Sequence, residues 1–223
     1  LNTVIYVACT VGFGVGFGLI LAVFLAKKTR LNGLLQSVAF SPYIVSLASI
    51  ALLWMWLMNN DFGFLNALLA VFGIPAIDWL GSPKFALMSL IIINVWKSVG
   101  YNALILISAL QGIPPHLYEA ARLDRANTWR TFSRITFPMI SPTVFFLALV
   151  DVIAAFKVFE TIQIITQGGP QNSTNTLVFS LYEYGFQFYK VGYAAAIGVV
   201  LFFIVLLFTI LYFAVLSKRV HYQ

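Results

Sequence analysis

Residues 111–142 read QGIPPHLYEAARLDRANTWRTFSRITFPMISP, and this basic segment lies between two long apolar runs. Its adjacent prolines, Pro114 and Pro115, end the preceding run and favour a new helix start, because proline fixes φ and donates no backbone hydrogen bond. The residues that follow, Leu117–Asp124, are mostly helix formers, with small and apolar side chains on one face. They predict a short amphipathic helix.

A second short helix is predicted over Thr128–Ile135. Asn127 is a favourable N-cap residue for it, and Pro138 is expected to end it. Two short amphipathic helices in one loop either cover the ends of neighbouring membrane spans or dock into a groove of a soluble partner. The residues by themselves leave both interpretations open.

The composition of the chain is that of a membrane protein. Of its 223 residues, 61% are hydrophobic and 9% are charged, whereas a soluble domain is about 25% charged. So few charges do not cover the surface of a water-soluble fold, which excludes soluble enzymes, nucleic-acid-binding proteins and disordered tails. One cysteine and two separated histidines also exclude a disulfide framework and argue against a metal site.

Five apolar runs reach the roughly 20 residues that cross a ~30 Å hydrocarbon core as a helix. They cover residues 4–26, 34–58, 85–107, 142–165 and 193–216. We therefore expect an all-α integral membrane protein with five transmembrane helices, in a single transmembrane domain over residues 1–223. Pro42, within the second run, is expected to kink its helix, with neighbouring groups satisfying the carbonyl that it frees.

The basic residues indicate the orientation of these helices. Nine of the 13 lie in residues 27–33, in the loop of residues 114–141, or in the tail at Lys218 and Arg219. By the positive-inside rule these segments, including the C-terminus, are cytoplasmic. The first helix then begins outside, and the chain begins with Leu1 rather than Met. We therefore expect a further helix upstream, which would make the five spans the later part of a six-helix unit.

Two other patterns predict how the helices are arranged. In the first run, Gly12 with Gly16 and Gly14 with Gly18 form two pairs of small residues four apart, which let another helix approach closely. The loop over residues 59–84 has an apolar middle, which predicts a short helix lying at the membrane interface.

Ionisable residues within the spans are functional candidates, because a charge in hydrocarbon is costly. Lys97 in the third run and Asp151 in the fourth lie at similar depths, since these two helices run antiparallel. They are expected either to pair and fix the helix register or to contact a substrate. Lys157 and Glu160, three residues apart, are expected to pair with each other.

Polar side chains recur at helical spacing along the third span, at Asn94, Lys97, Ser98 and Tyr101. A polar face with an aromatic ring suits a sugar, whose hydroxyls form hydrogen bonds while its apolar side stacks. The alternative is a hydrated seam between helices without a ligand, and the charge of Lys97 also allows an anionic substrate. The candidates for a translocation pathway are Asn94, Lys97, Tyr101, Asp151 and Lys157.

The segment of residues 111–142 resembles the EAA loop of ABC importer permeases, with the approximate pattern EAA-x2-DGA-x5-F-x2-I-x-LP. The residues in register are Glu119, Ala120, Ala121, Asp124, Ala126, Phe132, Ile135 and Pro138. Two flanking stretches resemble the carbohydrate-uptake branch of that family, whose members include maltose and glycerol-3-phosphate transporters. They contain Trp96, Gly100, Tyr101, Leu110, Gln111, Ile113, Pro114, Leu117 and Tyr118, and then Gly168, Gly169, Pro170, Thr174, Thr176 and Leu177.

The match departs from the pattern at two positions. Arg125 replaces a glycine and Phe137 replaces a leucine. The glycine is expected to supply a positive φ between the two short helices, a conformation that costs an L-residue about 1–2 kcal/mol. Arg125 therefore raises the question of whether this turn keeps the geometry of the family.

The resemblance implies that the EAA loop, residues 114–141, is a coupling helix seated on an ATPase subunit. The chain has no phosphate-binding loop of the G-x4-GK[ST] type. The resemblance therefore implies a permease that is not an enzyme and has no catalytic residue, metal or cofactor of its own, with ATP and magnesium bound by the partner. The coupling residues would be Leu117 as an apolar contact, Glu119 as a polar anchor, Ala120 and Ala121 as close-approach positions, and Asp124.

The expected function is that of a transmembrane permease subunit in an ATP-driven importer of a carbohydrate, an oligosaccharide delivered by an external solute-binding protein. The expected partners are a second homologous permease, an ATPase dimer and the lipid membrane, and no nucleic acid. The expected location is a bacterial or archaeal cytoplasmic membrane. The alternatives are import of glycerol-3-phosphate or another anionic solute, an ion-coupled secondary transporter, and a purely structural membrane subunit.

Overall fold

The computed structural model of the chain describes residues 1–216, and every regular element within them is helical. The prediction of an all-α membrane protein is therefore confirmed, while Lys218 and Arg219 of the basic tail lie outside the described residues. In chain order the elements are α1 (Asn2–Leu25), α2 (Arg30–Ile44), α3 (Leu47–Leu57), α4 (Phe64–Val71), α5 (Ala86–Gln111), α6 (Pro115–Leu123), α7 (Thr128–Thr131), a π-helical turn (Phe132–Thr136), α8 (Phe137–Phe156), α9 (Glu160–Ile165), α10 (Leu177–Tyr182), a second π-helical turn (Glu183–Gln187) and α11 (Val191–Leu216).

Four of the described helices are long and apolar enough to cross a membrane. Three of them, α1, α5 and α11, closely match the first, third and fifth predicted spans. The fourth is the continuous helix Thr128–Phe156, which begins before the predicted start at residue 142 and ends before the predicted end at residue 165.

The expected helix end at Pro138 is wrong. α7 continues through the π-helical turn into α8, and Phe137 N–H donates a hydrogen bond to the Phe132 carbonyl across that turn. A π turn is wider than an α turn, which makes room for a proline ring that would otherwise clash with the carbonyl four residues earlier. The EAA loop is thereby continuous with a membrane-spanning helix.

The second predicted span is not one helix, because α2 and α3 meet at an angle of 99°. The chain turns at Val45 and Ser46, and the Ser46 hydroxyl accepts a hydrogen bond of 3.2 Å from Ser49 N–H, which starts α3. Counted as one bent span, this pair gives the five predicted spans. The bend lies at Val45 and Ser46, after Pro42, because hydropathy does not reveal a capping serine inside an apolar run.

Pro42 lies inside α2, close to this turn. Proline has no N–H with which to bond the carbonyl of Val38, and the Ser41 hydroxyl donates to that carbonyl instead at 2.9 Å. The expectation that a neighbouring group satisfies the freed carbonyl is confirmed, and α2 continues past Pro42 to Ile44.

α1 lies closely against α5 along one of its two glycine pairs. A Cβ atom added at Gly18 would lie 2.8 Å from Asn102 Cβ, and one at Gly14 would lie 3.1 Å from a side chain of α5. A Cβ atom at Gly12 or Gly16 would meet nothing within 4 Å. Only the pair Gly14 and Gly18 therefore forms a close helix contact within the described chain.

The loop between α3 and α5 contains the predicted short helix, α4. Asn66 holds this loop together: its side-chain oxygen accepts hydrogen bonds from Ile77 N–H at 3.1 Å and Trp79 Nε1 at 3.0 Å. The outer face of α4 exposes Leu68 and Val71. The helix is confirmed, and its place at the membrane interface stays a prediction.

The second segment of the family resemblance, residues 168–177, joins the ends of α1 and α10. Thr174 is fully buried, and its hydroxyl donates to the Gly169 carbonyl at 2.7 Å. The Asn2 side chain, at the start of α1, donates to the Asn172 carbonyl at 2.9 Å. This motif therefore stabilises one end of the helix bundle.

The two glycine pairs provide a matched test of the α1–α5 contact. Gly18→Ala is expected to destabilise the protein by about 1–3 kcal/mol, because the added carbon overlaps Asn102 Cβ, which has no freedom to move aside. Gly16→Ala has open space and is expected to be neutral or slightly stabilising, because alanine favours the helix. Thermal unfolding of both variants in detergent checks this, and equal midpoints would contradict the packing.

Candidate functional site

The five residues selected from the sequence as pathway candidates line one cavity of about 340 Å³. α5 contributes Asn94, Lys97 and Tyr101 from one face, because these positions are separated by one and two helical turns. Asp151 comes from α8, and Lys157 follows directly after its last residue. The structure thus brings the polar face of the third span and the acidic residue of the fourth into one site.

Lys97 does not pair with Asp151. Its ammonium group donates to three backbone carbonyls at the bend between α2 and α3, at 3.3 Å to Pro42, 3.1 Å to Tyr43 and 2.8 Å to Val45. An ammonium group has three N–H donors, and each has a carbonyl acceptor here. The predicted ion pair is wrong because the bend brings unpaired carbonyls within reach of Lys97.

Asp151 has a neutral partner on α5. Its Oδ2 accepts a hydrogen bond of 2.7 Å from Asn102 Nδ2. Asn102 is fully buried and stands next to Gly18 of α1, so three helices meet at this bond. Asp151 is therefore a positioned carboxylate that also lines the cavity.

An aromatic pair forms one wall of the site. The rings of Tyr43 and Tyr101 are stacked with centroids 4.3 Å apart and planes 11° apart, and the Lys97 ammonium lies 5.6 Å from the Tyr43 centroid. Sequence reasoning identified Tyr101 but missed Tyr43, because nothing in the pattern of α2 shows that its end folds against α5. The available signal was Pro42, which marks the distorted part of the second span.

Lys157 and Glu160 also line the cavity, and both are exposed. Within residues 1–216 no ion pair joins them, so the predicted pairing is wrong. α8 ends at Phe156 and α9 begins at Glu160; the two residues therefore do not share a helix, and the spacing rule for one helix does not apply. The ammonium group of Lys157 consequently has no protein acceptor in the described part of the chain.

The turn of the EAA loop has the backbone of a Schellman motif. Arg125 N–H donates to the Arg122 carbonyl at 3.0 Å, and Ala126 N–H donates to the Ala121 carbonyl at 2.9 Å. Arg125 itself has a φ of 50°, in the left-handed region. The position at which the family pattern has glycine therefore adopts the positive φ expected there, although an arginine occupies it.

The predicted coupling residues do not all face outward. Glu119, Ala120 and Asp124 are exposed and Leu117 is half-buried. Ala121 is 6% exposed and packs inside the chain. Ala121 therefore contributes to the packing beneath α6, and its role in close approach of a partner stays a prediction.

Two exposed apolar side chains near this turn were missed. Leu123, the last residue of α6, is 86% exposed, and Trp129 of α7 is 74% exposed. The hydroxyls of Tyr118 and Thr136 lie 3.2 Å apart, so α6 is also joined to the helix that continues into the membrane.

These features define a class of protein: a multi-pass membrane permease with a polar cavity between its helices and an exposed EAA loop. The family described as "Binding-protein-dependent transport system inner membrane component" matches residues 14–222. The chain belongs to this family.

Relatives among characterised proteins cover nearly all of the chain. The sn-glycerol-3-phosphate transport system permease protein UgpA of Pectobacterium atrosepticum is 36% identical over 225 residues, covering 100% of this chain and 75% of its own length. The trehalose/maltose transport system permease protein MalF of Thermococcus litoralis is 33% identical over 201 residues, covering 89% of this chain and 67% of its own length.

Solved structures share the fold. A permease chain from a bacterial ABC transporter involved in the import of the acidic polysaccharide alginate superposes with a TM-score of 0.84 at 25% identity, over 96% of this chain and 77% of its own. A chain from the bacterial alginate ABC transporter in complex with an alginate pentasaccharide-bound periplasmic protein has a TM-score of 0.88 at 24% identity, over 98% and 76% of the two chains.

The chain is therefore a permease subunit of a binding-protein-dependent ABC importer in the inner membrane. Subunits of this family are channel components and not enzymes. This assignment overturns the alternatives of an ion-coupled secondary transporter and of a purely structural subunit.

The left-handed turn of the EAA loop provides a test. Arg125→Gly is expected to stabilise the protein by about 1 kcal/mol, because glycine adopts a positive φ without the clash of a Cβ atom. Arg125→Ala keeps the Cβ atom and is expected to leave the stability unchanged. Thermal unfolding in detergent checks this, with a rise in midpoint of about 2–4 °C for the glycine variant; a fall in midpoint would show that the turn is not strained.

Proposed function

We propose that this chain, with a second homologous permease subunit, forms the membrane pathway of an ATP-driven carbohydrate importer fed by an external solute-binding protein. The observation that carries the proposal is the meeting of Asn94, Lys97, Tyr101, Asp151 and Lys157 in one cavity with a stacked tyrosine pair. Such a site combines an aromatic wall with several hydrogen-bonding groups, as sugar recognition requires.

The charges of the cavity favour a neutral oligosaccharide. The ammonium group of Lys97 donates hydrogen bonds to three backbone carbonyls. In this state it therefore has no N–H group left for an anion. Asp151 presents a carboxylate to the cavity, which repels anions and accepts hydrogen bonds from hydroxyls. The trehalose/maltose permease among the relatives supports the same class of substrate.

Glycerol-3-phosphate or another anionic solute is the second candidate. It is favoured by the relatives of this chain that belong to sn-glycerol-3-phosphate transport systems, and by the ammonium group of Lys157 at the cavity. The carboxylate of Glu160, three residues after Lys157, lines the same cavity and repels an anion. We therefore place the anionic substrate second.

Coupling to ATP would occur through the EAA loop, with ATP and magnesium bound by a dimer of partner ATPase subunits. Glu119 and Asp124 expose carboxylates on α6 and directly after it, and Ala120 and Leu123 add exposed apolar side chains. Because α7 continues into α8 without a break, a force applied at this loop reaches a cavity-lining helix directly. In this arrangement the loop and the C-terminus are cytoplasmic.

A competition assay separates the two substrate classes. The assembled importer in proteoliposomes, with its ATPase and binding protein, takes up a labelled neutral disaccharide while unlabelled maltotriose or glycerol-3-phosphate is added. We expect maltotriose to inhibit at a concentration at least about tenfold lower, because the carboxylate of Asp151 repels an anion; a tenfold difference corresponds to about 1.4 kcal/mol. Stronger inhibition by glycerol-3-phosphate would instead support the anionic candidate.

The coupling role of α6 is tested by Glu119→Lys. Reversing the charge at an exposed anchor is expected to reduce ATP-driven uptake at least about tenfold, the effect of losing roughly 1.4 kcal/mol at the interface, while the assembled complex still hydrolyses ATP. Asp61→Lys changes the net charge equally at an exposed position in the loop before α4 and should transport normally. Uptake by Glu119→Lys equal to that of the unmodified importer would contradict the docking role.

A further inference from the structure

The end of α2 lies unusually close to α5. The last carbonyls of a helix have no partner within the helix, and in hydrocarbon such groups must find a donor. At the end of α2 these donors come from Lys97, which also places a positive charge at the negative end of the helix dipole. Three residues further along α5, a Cβ atom at Gly100 would overlap the carbonyl of Ala39. Lys97 and Gly100 together hold α2 against α5.

The aromatic pair lies between two cavities. The first is the polar cavity that contains Lys97 and Asp151, and the second, of about 520 Å³, is lined by residues of α5 towards its EAA-loop end, including Ser108, together with Phe40 of α2 and Thr143 of α8. Tyr101 lines both cavities. Tyr43, stacked on Tyr101, lines the first, so the stacked rings stand at the junction of the two.

We propose that the Tyr43–Tyr101 stack is a gate between the two cavities and that Lys97 is the latch that keeps it closed. Lys97 bonds the carbonyls of Tyr43 itself and of Pro42 directly before it. The position of the Tyr43 ring is therefore set by bonds to the helix that carries the other ring. This inference rests on the proposed pathway and assigns Lys97 as a positioning residue within it.

The bend between α2 and α3 is what allows the gate to open. The extended residues Val45 and Ser46 join two separately capped helices, so α2 can move without unwinding α3. Tyr43, Lys97 and Tyr101 all line the first cavity, so a substrate held there would lie beside the stacked rings. Passage of that substrate to the second cavity requires α2 to move away from α5, which breaks the bonds from Lys97 to the carbonyls and so links passage to release of the latch.

The first test measures the gate directly by cross-linking. In the assembled importer with Cys9→Ser, the pair Tyr43→Cys and Tyr101→Cys is treated with a short bifunctional thiol reagent in nanodiscs without ATP. We expect efficient cross-linking, and at least a threefold smaller cross-linked fraction after Lys97→Met. An unchanged fraction would overturn the latch. This measurement involves no transported solute, so its result does not depend on the substrate class.

The second test measures leakage. Proteoliposomes containing the assembled importer are loaded with labelled maltose, and its efflux is followed without ATP or binding protein. Lys97→Met is expected to raise efflux at least tenfold, and Lys84→Met, at an exposed lysine outside the cavity, is expected to match the unmodified protein. Tyr43→Ala removes one ring but leaves the carbonyl bonds of Lys97 in place, and it is expected to leak as well.

The outcomes separate the two proposals. If Lys97→Met fails to assemble, efflux from Tyr43→Ala decides, and efflux equal to that of the unmodified importer overturns the gate. If cross-linking falls after Lys97→Met but glycerol-3-phosphate inhibits uptake by the unmodified importer more strongly than maltotriose does, the gate stands and the carbohydrate assignment fails. If the unmodified importer takes up maltose while cross-linking and efflux are unchanged in the variants, the carbohydrate assignment stands and the gate is overturned.

Discussion

The arrangement of the site depends on the requirement that backbone carbonyls within a membrane have hydrogen-bond donors. α2 and α3 meet at an angle of 99°, and the last carbonyls of α2 have no partner within their own helix. Ser41 satisfies the carbonyl freed by Pro42, and Lys97 satisfies three more. Without these donors the bend would be too costly, and Tyr43 would not lie against Tyr101.

A second constraint is the close contact of α1 with α5. Gly14 and Gly18 let the two helices approach until Asn102 is fully buried between them, where its side chain bonds Asp151. The bond positions α8 relative to α5, and α8 is continuous with the EAA loop. The cavity and the EAA loop are thus connected through α5 and α8, and the proposed coupling and the proposed gate would both act through this connection.

The sequence predicted which residue types form the site and which of them share a helix face. Asn94, Lys97 and Tyr101 share a face because helical spacing is regular, and Asp151 was recognisable because a carboxylate in a span is costly. Their partners were not predictable. The ion pair of Lys97 with Asp151 was a reasonable expectation from depth alone, but the acceptors of Lys97 lie 52 to 55 residues away in the chain, at a bend that hydropathy does not reveal.

The sequence by itself determined the helical class, the long apolar runs, the EAA loop and the family, because these depend on hydropathy and on residue types at local spacing. Only the tertiary structure decided that Ala121 faces inward, that α7 and α8 are one helix, and that Tyr43 meets Tyr101. The reason is that side-chain direction and long-range contact follow from how α1, α2 and α8 pack on α5, and this packing leaves no periodic signal in any single segment.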